Sequence, residues 1–160
     1  MDQLLERFER GLRHTLAALL AFMIFLVFIQ VCMRYVFKKS FLWGEELSLF
    51  AFIWSIFIGA AVAVRRRIHF SFDFLANLLP GRAAAVQRLF VDLIILGLAI
   101  VILAQGYHFS VLSIQRFSPA VGITLFIPTM IVPVSGAYMI LATSIHIVKD
   151  CRQIFGKEDV

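Results

Sequence analysis

The sequence predicts an all-α integral membrane protein with four transmembrane helices. Two observations carry this. Of 160 residues, 61% are hydrophobic and only 16% charged, against about 25% charged in an ordinary soluble domain, and four long stretches contain no Asp, Glu, Lys or Arg at all. A helix crossing ~30 Å of hydrocarbon needs about 20 residues, and the stretches Thr15 to Met33, Leu47 to Val64, Leu93 to Gln115 and Phe117 to Val148 meet or approach that length. The shortest has 18 residues, but Glu45 and Glu46 precede it and reach outward to the headgroups, so it counts as a full span. Neither a linker nor an internal repeat divides the chain, and residues 1–160 read as a single four-helix membrane domain.

Ahead of the first span, Leu4, Leu5, Phe8 and Leu12 fall on one side of a helix, while Glu6 with Arg10 and Glu9 with Arg13 are spaced i,i+4. This amphipathic lead-in is expected to lie in the membrane interface. The apolar run behind it is longer than the h-region of a secretory signal, and no small-x-small cleavage site follows. Val31 stands where a lipoprotein signal would need a small residue before Cys32.

Orientation follows from Lys and Arg in the short loops, which hold their side of the membrane in the cytoplasm. Arg7, Arg10, Arg13, Arg65, Arg66, Arg67, Arg82, Arg88, Lys149, Arg152 and Lys157 share one side; only Arg34, Lys38, Lys39 and Arg116 fall on the other. Eleven against four places both termini and the middle loop in the cytoplasm. The net charge of +5 therefore calls for anionic headgroups rather than nucleic acid. Cys32 and Cys151 sit at opposite membrane faces and cannot pair within one chain.

Between the second and third spans, the segment Ile68 to Pro80 wound as a helix places His69, Asp73 and Asn77 in one polar stripe opposite Ile68, Phe72, Leu75 and Leu79. A lone strand at a bilayer surface would leave its backbone unpaired, so this segment is expected to be an amphipathic helix on the cytoplasmic surface, ended by Pro80 and Gly81. The fourth stretch contains Pro119, Pro128 and Pro133. The last two remove backbone donors inside the span, so a bent helix is expected, with Thr129 and Ser135 close enough to re-satisfy freed carbonyls.

Side chains able to carry chemistry are few. Haem would need two imidazoles at one depth on facing helices; His14 and His146 share a depth, but histidines at helix ends are ordinarily interfacial. His69 and Asp73 form at most half a metal site. Asp92 lies near or within an apolar run, where an acid is a functional candidate, yet Arg88 at i−4 offers a structural ion pair. The densest polar constellation is the hairpin Arg34 to Glu46. Tyr35 and Trp43 fit the aromatic belt, Glu45 and Glu46 suit a helix N-terminus, and Arg34 is placed to form a partly buried charge pair with one of them. There is no nucleophile elbow, metal-ligand cluster or Gly-rich phosphate loop, so neither catalysis, a cofactor nor a metal is expected.

Three stretches then resemble the small membrane subunit of tripartite ATP-independent periplasmic (TRAP) transporters over nearly the full length. The first holds Gln30, Val31, Arg34, Tyr35, Phe37, Ser40, Trp43, Glu45, Glu46, Leu47 and Trp54. The second holds Phe57, Gly59, Ala60, Ala61, Ala63 and Val64, followed by His69 and Asp73. The third holds Ser118, Pro119, Ala120, Gly122 and Ile123, then Pro133, Val134, Ser135 and Gly136. Thr124 stands where that family often has another proline, a departure affecting only the local bend before the fourth span.

The resemblance implies a three-part importer of the bacterial or archaeal cytoplasmic membrane: a periplasmic substrate-binding protein, this subunit, and a large membrane subunit containing the transport path. It implies coupling to an ion gradient, usually sodium, and organic-acid substrates, with the small subunit as a scaffold and docking platform. Arg34, Tyr35, Trp43, Glu45, Glu46, Trp54, His69, Asp73, Asp92, Pro133, Ser135 and Gly136 are the structural or partner-interface candidates. Two alternatives from other classes are a haem-bearing membrane anchor of a redox complex and a self-sufficient small transporter.

The charge distribution predicts that a cysteine introduced at Asp159 is shielded in intact cells from an impermeant thiol reagent and reacts only after permeabilisation. Labelling from the periplasmic side would reverse the topology.

Overall fold

A computed structural model describes residues 2–39, 41–66 and 81–155. Their secondary structure is helical, apart from an isolated bridge between Phe117 and Thr124. The four long helices are α1 (Asp2–Tyr35), α2 (Leu42–Arg65), α3 (Gly81–Leu112) and α4 (Ile131–Phe155); one 3-10 turn, Ser113–Gln115, continues α3, and a single helical turn, Phe126–Thr129, precedes α4. Each supplies a stretch long and apolar enough to cross a membrane: Arg10–Tyr35, Leu42–Arg65, Val86–Gln115 and Phe126–Arg152. The amphipathic segment expected between α2 and α3 lies outside the described residues.

At 34 residues, α1 is ~50 Å long and passes from the lead-in into the span without interruption. The lead-in is thus the N-terminal end of the span's own helix. At the other end of α1 the chain turns through Lys38, whose φ is +52°, and Lys39 donates its N–H to the Met33 carbonyl at 3.1 Å.

The helices form an open row in the order α1, α2, α4, α3. α1 packs along α2, α2 also packs against α4, and α3 packs along α4. Burial follows this order. One third of the apolar window is buried in each of the two inner helices, but only 17% in α3 and 6% in α1. The core is a small-residue cluster of Ala61, Val64, Ala99, Met139 and Ala142, with Tyr138 and Ile140 packed on it. Small residues let helix backbones approach in lipid, where no water is available to drive apolar side chains together.

The α3–α4 seam shows how close that approach is. A Cβ on Gly136 would lie 2.9 Å from the Leu103 backbone nitrogen and 3.1 Å from its Cα, and one on Gly106 would lie 2.7 Å from Val132 Cγ1. Both glycines are buried against the facing helix, whereas Gly97 faces open space on α3.

The expected bend in the fourth span takes a different form. The stretch 117–125 is not helical: it folds back through the Phe117–Thr124 bridge, and the helical path begins at Phe126 and is broken once, at Met130. Pro128 lies within the short turn and Pro133 in the first turn of α4, where a missing N–H costs little. The carbonyl that a residue at 133 would otherwise engage, that of Thr129, accepts a hydrogen bond from Ser110 Oγ of α3 at 3.0 Å. Thr129 and Ser135, expected to do this work, instead donate to other carbonyls of their own segment: Thr129 to Leu125 at 2.8 Å and Ser135 to Val132 at 2.8 Å. A hydroxyl on the neighbouring helix heals the gap because it approaches from the side on which the ladder is open.

Substituting Gly136→Ala should force α3 and α4 apart against backbone, at a cost of about 1–3 kcal/mol, and lower the thermal unfolding midpoint in detergent. Gly97→Ala, with room for its methyl and a better helix former in place, should leave the midpoint unchanged or raise it.

Candidate functional site

The two ends of the row differ chemically. At one end lie the α1–α2 hairpin and the 116–125 loop; at the other, the arginine-bearing ends of α2 and α3 and the end of α4.

At the hairpin end the loop is closed by its own backbone. Ser118 N–H donates to the Ile123 carbonyl at 2.8 Å, Leu125 N–H to Arg116 at 2.8 Å, and Gly122 N–H to Ser118 at 2.9 Å. Gly122 takes φ +75°, a conformation that glycine adopts without steric cost. The turn so formed presents the N–H groups of Ala120 and Val121 in succession, a concavity suited to an anion. Glu46 of α2 fills it. Its carboxylate accepts the hydroxyl of Ser118, the Ala120 N–H at 3.3 Å to both oxygens, and the Val121 N–H at 3.3 Å. Val121 N–H also reaches Ser118 Oγ at 3.1 Å. Ser118 is buried and Glu46 half-buried, so these are charge-assisted bonds at a partly dry site.

Of the two glutamates expected as partners of Arg34, Glu45 or Glu46, Glu46 is thus engaged by the loop. Arg34 is exposed and instead lines a cleft with Glu45, Gln30 and Lys39. Gln30 links the two arms of the hairpin, donating through Nε2 to Ser48 Oγ at 3.2 Å, and Ser48 donates in turn to the Glu45 carbonyl at 2.8 Å. Tyr35 and Trp43 are exposed, as a belt position requires. Trp43 packs tilted against Phe41 with ring centroids 4.1 Å apart, and the buried Gly44 leaves space for the Phe41 ring. Trp54 lies deeper, half-buried, in an apolar groove of about 210 Å³ with Phe22, Ile123 and Pro128. Gly136 and the Pro133 backbone lie against α3, and Ser135 is buried on α4. His69 and Asp73 lie outside the described residues.

At the opposite end, Asp92 is buried at 5% exposure, and so is Asp150 at 3%. The antiparallel path brings Gln87 and Asp92 of α3, His146 and Asp150 of α4, and Arg65 and Arg66 of α2 to this level, and each has a polar or electrostatic partner. Arg88 is half-buried with its Nε outside any hydrogen bond among the described residues. Asp150 was not singled out from sequence because it stands in a basic segment just past the fourth apolar stretch. His14 is exposed on α1 and His146 is on α4, two helices that do not pack along each other. Among the described residues no group of three or more His, Cys, Asp or Glu is placed to hold a metal.

The fold and this distribution of polar groups define a multi-pass membrane protein whose built polar contacts join helices to one another. Residues 23–153 match the family model for tripartite ATP-independent periplasmic transporters, DctQ component. The chain belongs to that family: it is a TRAP transporter small permease subunit, a transporter component and not an enzyme. It is 32% identical, over 54% of its length, to the C4-dicarboxylate TRAP transporter small permease protein DctQ of Vibrio cholerae, of which the match spans 38%. It is 30% identical over 72% of its length to the isethionate TRAP transporter permease protein DctMQ of Oleidesulfovibrio alaskensis, of which the match spans 20%. The sialic acid TRAP transporter small permease protein SiaQ of Vibrio cholerae is 26% identical over 78% of this chain and 70% of its own.

Replacing Glu46 by Ala would leave the Ser118 hydroxyl and the Ala120 N–H without their acceptor, and the Val121 N–H with Ser118 Oγ alone, at about 1–3 kcal/mol. Hydrogen–deuterium exchange at Ala120 and Val121 should accelerate in Glu46→Ala and stay at the native rate in Glu45→Ala. Equal protection in both variants would remove Glu46 as the anchor of the loop.

Proposed function

We propose that this subunit acts as the scaffold of a three-part importer in the bacterial or archaeal inner membrane, with both termini cytoplasmic. A large membrane subunit would move the substrate, and a periplasmic binding protein would deliver it. The observation that carries this reading is the open row of helices: α1 and α3 stand at its two edges with most of their apolar surface uncovered, and the polar contacts among the described residues fix helices and loop to each other. The match within a fused permease protein, where it spans 20% of the length, supports a larger transport unit beside it. In this topology the loop held by Glu46 faces the periplasm, and the Glu46–Ser118 contact supplies a rigid outer surface for the binding protein.

The names of the relatives, C4-dicarboxylate, isethionate and sialic acid transporters, support an organic acid as the transported class. Coupling to a sodium gradient is proposed with it, and the coupling ion belongs in the large subunit. The described spans of this chain bury acids only near one end, and those acids are partnered, whereas ion-coupled movement needs polar groups near the membrane midplane.

Vesicles containing both membrane subunits, with the binding protein outside and an inward sodium gradient, should accumulate the organic acid. Omitting this chain should abolish uptake. Robust uptake by the large subunit and binding protein alone would overturn the obligatory scaffold role, and uptake by this chain alone would establish a self-sufficient transporter.

A further inference from the structure

Two polar side chains of α3 stand at a depth where a membrane holds no water. Gln105 and His108 are exposed within the span Val86–Gln115. Arg88 and Arg116 bracket that span, so its mid-depth falls near Ile102. Gln105 is then ~5 Å and His108 ~9 Å from mid-depth along the helix, both inside hydrocarbon ~30 Å thick. Acyl chains offer neither donor nor acceptor, and an unbonded amide or imidazole among them is costly. The exposed neighbours on this face, Val101, Phe109 and Leu112, carry no polar side-chain atom. A bond between Gln105 and His108, which i,i+3 spacing allows, still leaves part of the amide and of the ring bare. Both stand on the outer edge of the row, so what they meet lies outside this chain.

The same face is shaped for a helix. Gly97, Val101, Ala104 and His108 follow a 4-3-4 spacing, the seam of a left-handed helix pair. All four are exposed, and a Cβ on Gly97 would meet nothing within 4 Å, so the hollow there opens outward. The other edge of the row differs. From Ala17 to Ile29, α1 carries only apolar residues, which acyl chains cover without penalty. We propose that the outer face of α3 is the seam on which a transmembrane helix of the large subunit docks. That helix lies along Gly97, Val101 and Ala104 and presents hydroxyl or amide side chains to Gln105 and His108, while the face of α1 is left to lipid. The proposal rests on the scaffold reading, from which it takes the large subunit. In one relative the matched region makes up 20% of a single permease chain, so a larger neighbour is held there in equal number, which favours that partner over a second copy.

The test uses the full chain co-expressed with the large subunit. A photoreactive benzophenone side chain is placed at Val101 or, for comparison, at Phe25 on the exposed side of α1, and the membranes are irradiated. In parallel, the large subunit recovered with this chain on affinity purification is measured for single variants. Val101 should cross-link to the large subunit and Phe25 to lipid. Gln105→Leu should lower recovery about threefold, the size of an average interhelical hydrogen bond in a membrane. Gly97→Leu, which fills the hollow, should lower it about tenfold. Both variants should keep native helical circular dichroism as isolated chains, since both positions are exposed, and the cross-links decide the matter even where a variant fails to fold. A cross-link to the large subunit from Phe25 and none from Val101 would overturn the seam and leave the scaffold role standing. Lipid alone or a second copy of this chain cross-linked at Val101 would also overturn it, as would unchanged recovery in both variants. Wild-type subunits that fail to purify together would overturn the seam and the scaffold reading alike.

Discussion

Hydrocarbon offers no hydrogen bonds, so every backbone group carried into it must be satisfied by protein, and the arrangement at the hairpin end follows from that constraint. Where the chain stops being helical between α3 and α4, each break is answered by a specific donor or acceptor. The Thr129 carbonyl, which Pro133 cannot serve, takes the Ser110 hydroxyl. The 116–125 loop closes on itself through its own N–H and carbonyl groups. The two N–H groups that the turn leaves pointing outward are taken by Glu46. Two of these contacts also join separate elements, Ser110 tying α3 to the start of the α4 path and Glu46 tying the loop to α2. Satisfying the backbone and fixing the tertiary structure are here the same act.

The open row is the second consequence of working in lipid. A soluble four-helix protein would close into a bundle to hide its apolar stripes, but apolar side chains facing acyl tails carry no penalty. The closest backbone approaches therefore fall where small residues permit them. Gly106 and Gly136 do so between α3 and α4, and the alanine-rich cluster around Ala61, Ala99 and Ala142 joins α2, α3 and α4. α1 lacks an equivalent set and meets α2 along one side, where a Cβ on Gly59 would lie 3.8 Å from Leu16 Cδ2. A subunit built this way presents broad side surfaces at little cost to its own stability, which is what the proposed role beside a larger membrane protein requires.

Much of this was legible in the sequence. Uncharged runs of sufficient length marked all four spans, because hydrophobic thickness is a constraint that a single chain must meet by itself. The boundaries moved where capping and loops intervened: α2 begins five residues before Leu47, and the start of the fourth stretch folds into a loop. Glycine and proline positions pointed to Gly122 and Pro133 without revealing their partners. Register between helices was not legible, and it decides every long-range contact at the site. Nothing local distinguishes Ser118 from Arg34 as the partner of Glu46, since both lie at the same membrane depth. Charge favoured Arg34; a pre-formed turn with two N–H donors and a hydroxyl engages Glu46, because among the described contacts the Ala120 N–H and the Ser118 hydroxyl meet no other acceptor while Arg34 is exposed.

That last competition explains why adjacent glutamates carry different duties. Glu45 and Glu46 are the same residue type one position apart at the start of α2, but successive helical positions face directions about 100° apart. One faces the loop and the other the cleft of α1. Glu46 is half-buried, and its carboxylate gathers donors that would otherwise be unsatisfied in a partly dry site, so its removal should register as loosened structure. Glu45 is exposed beside Arg34 and Lys39, where solvent and headgroups screen it, so its removal should register in what the surface attracts and hardly in the fold. A change at the first position should therefore alter the subunit's surroundings, and a change at the second should alter the subunit.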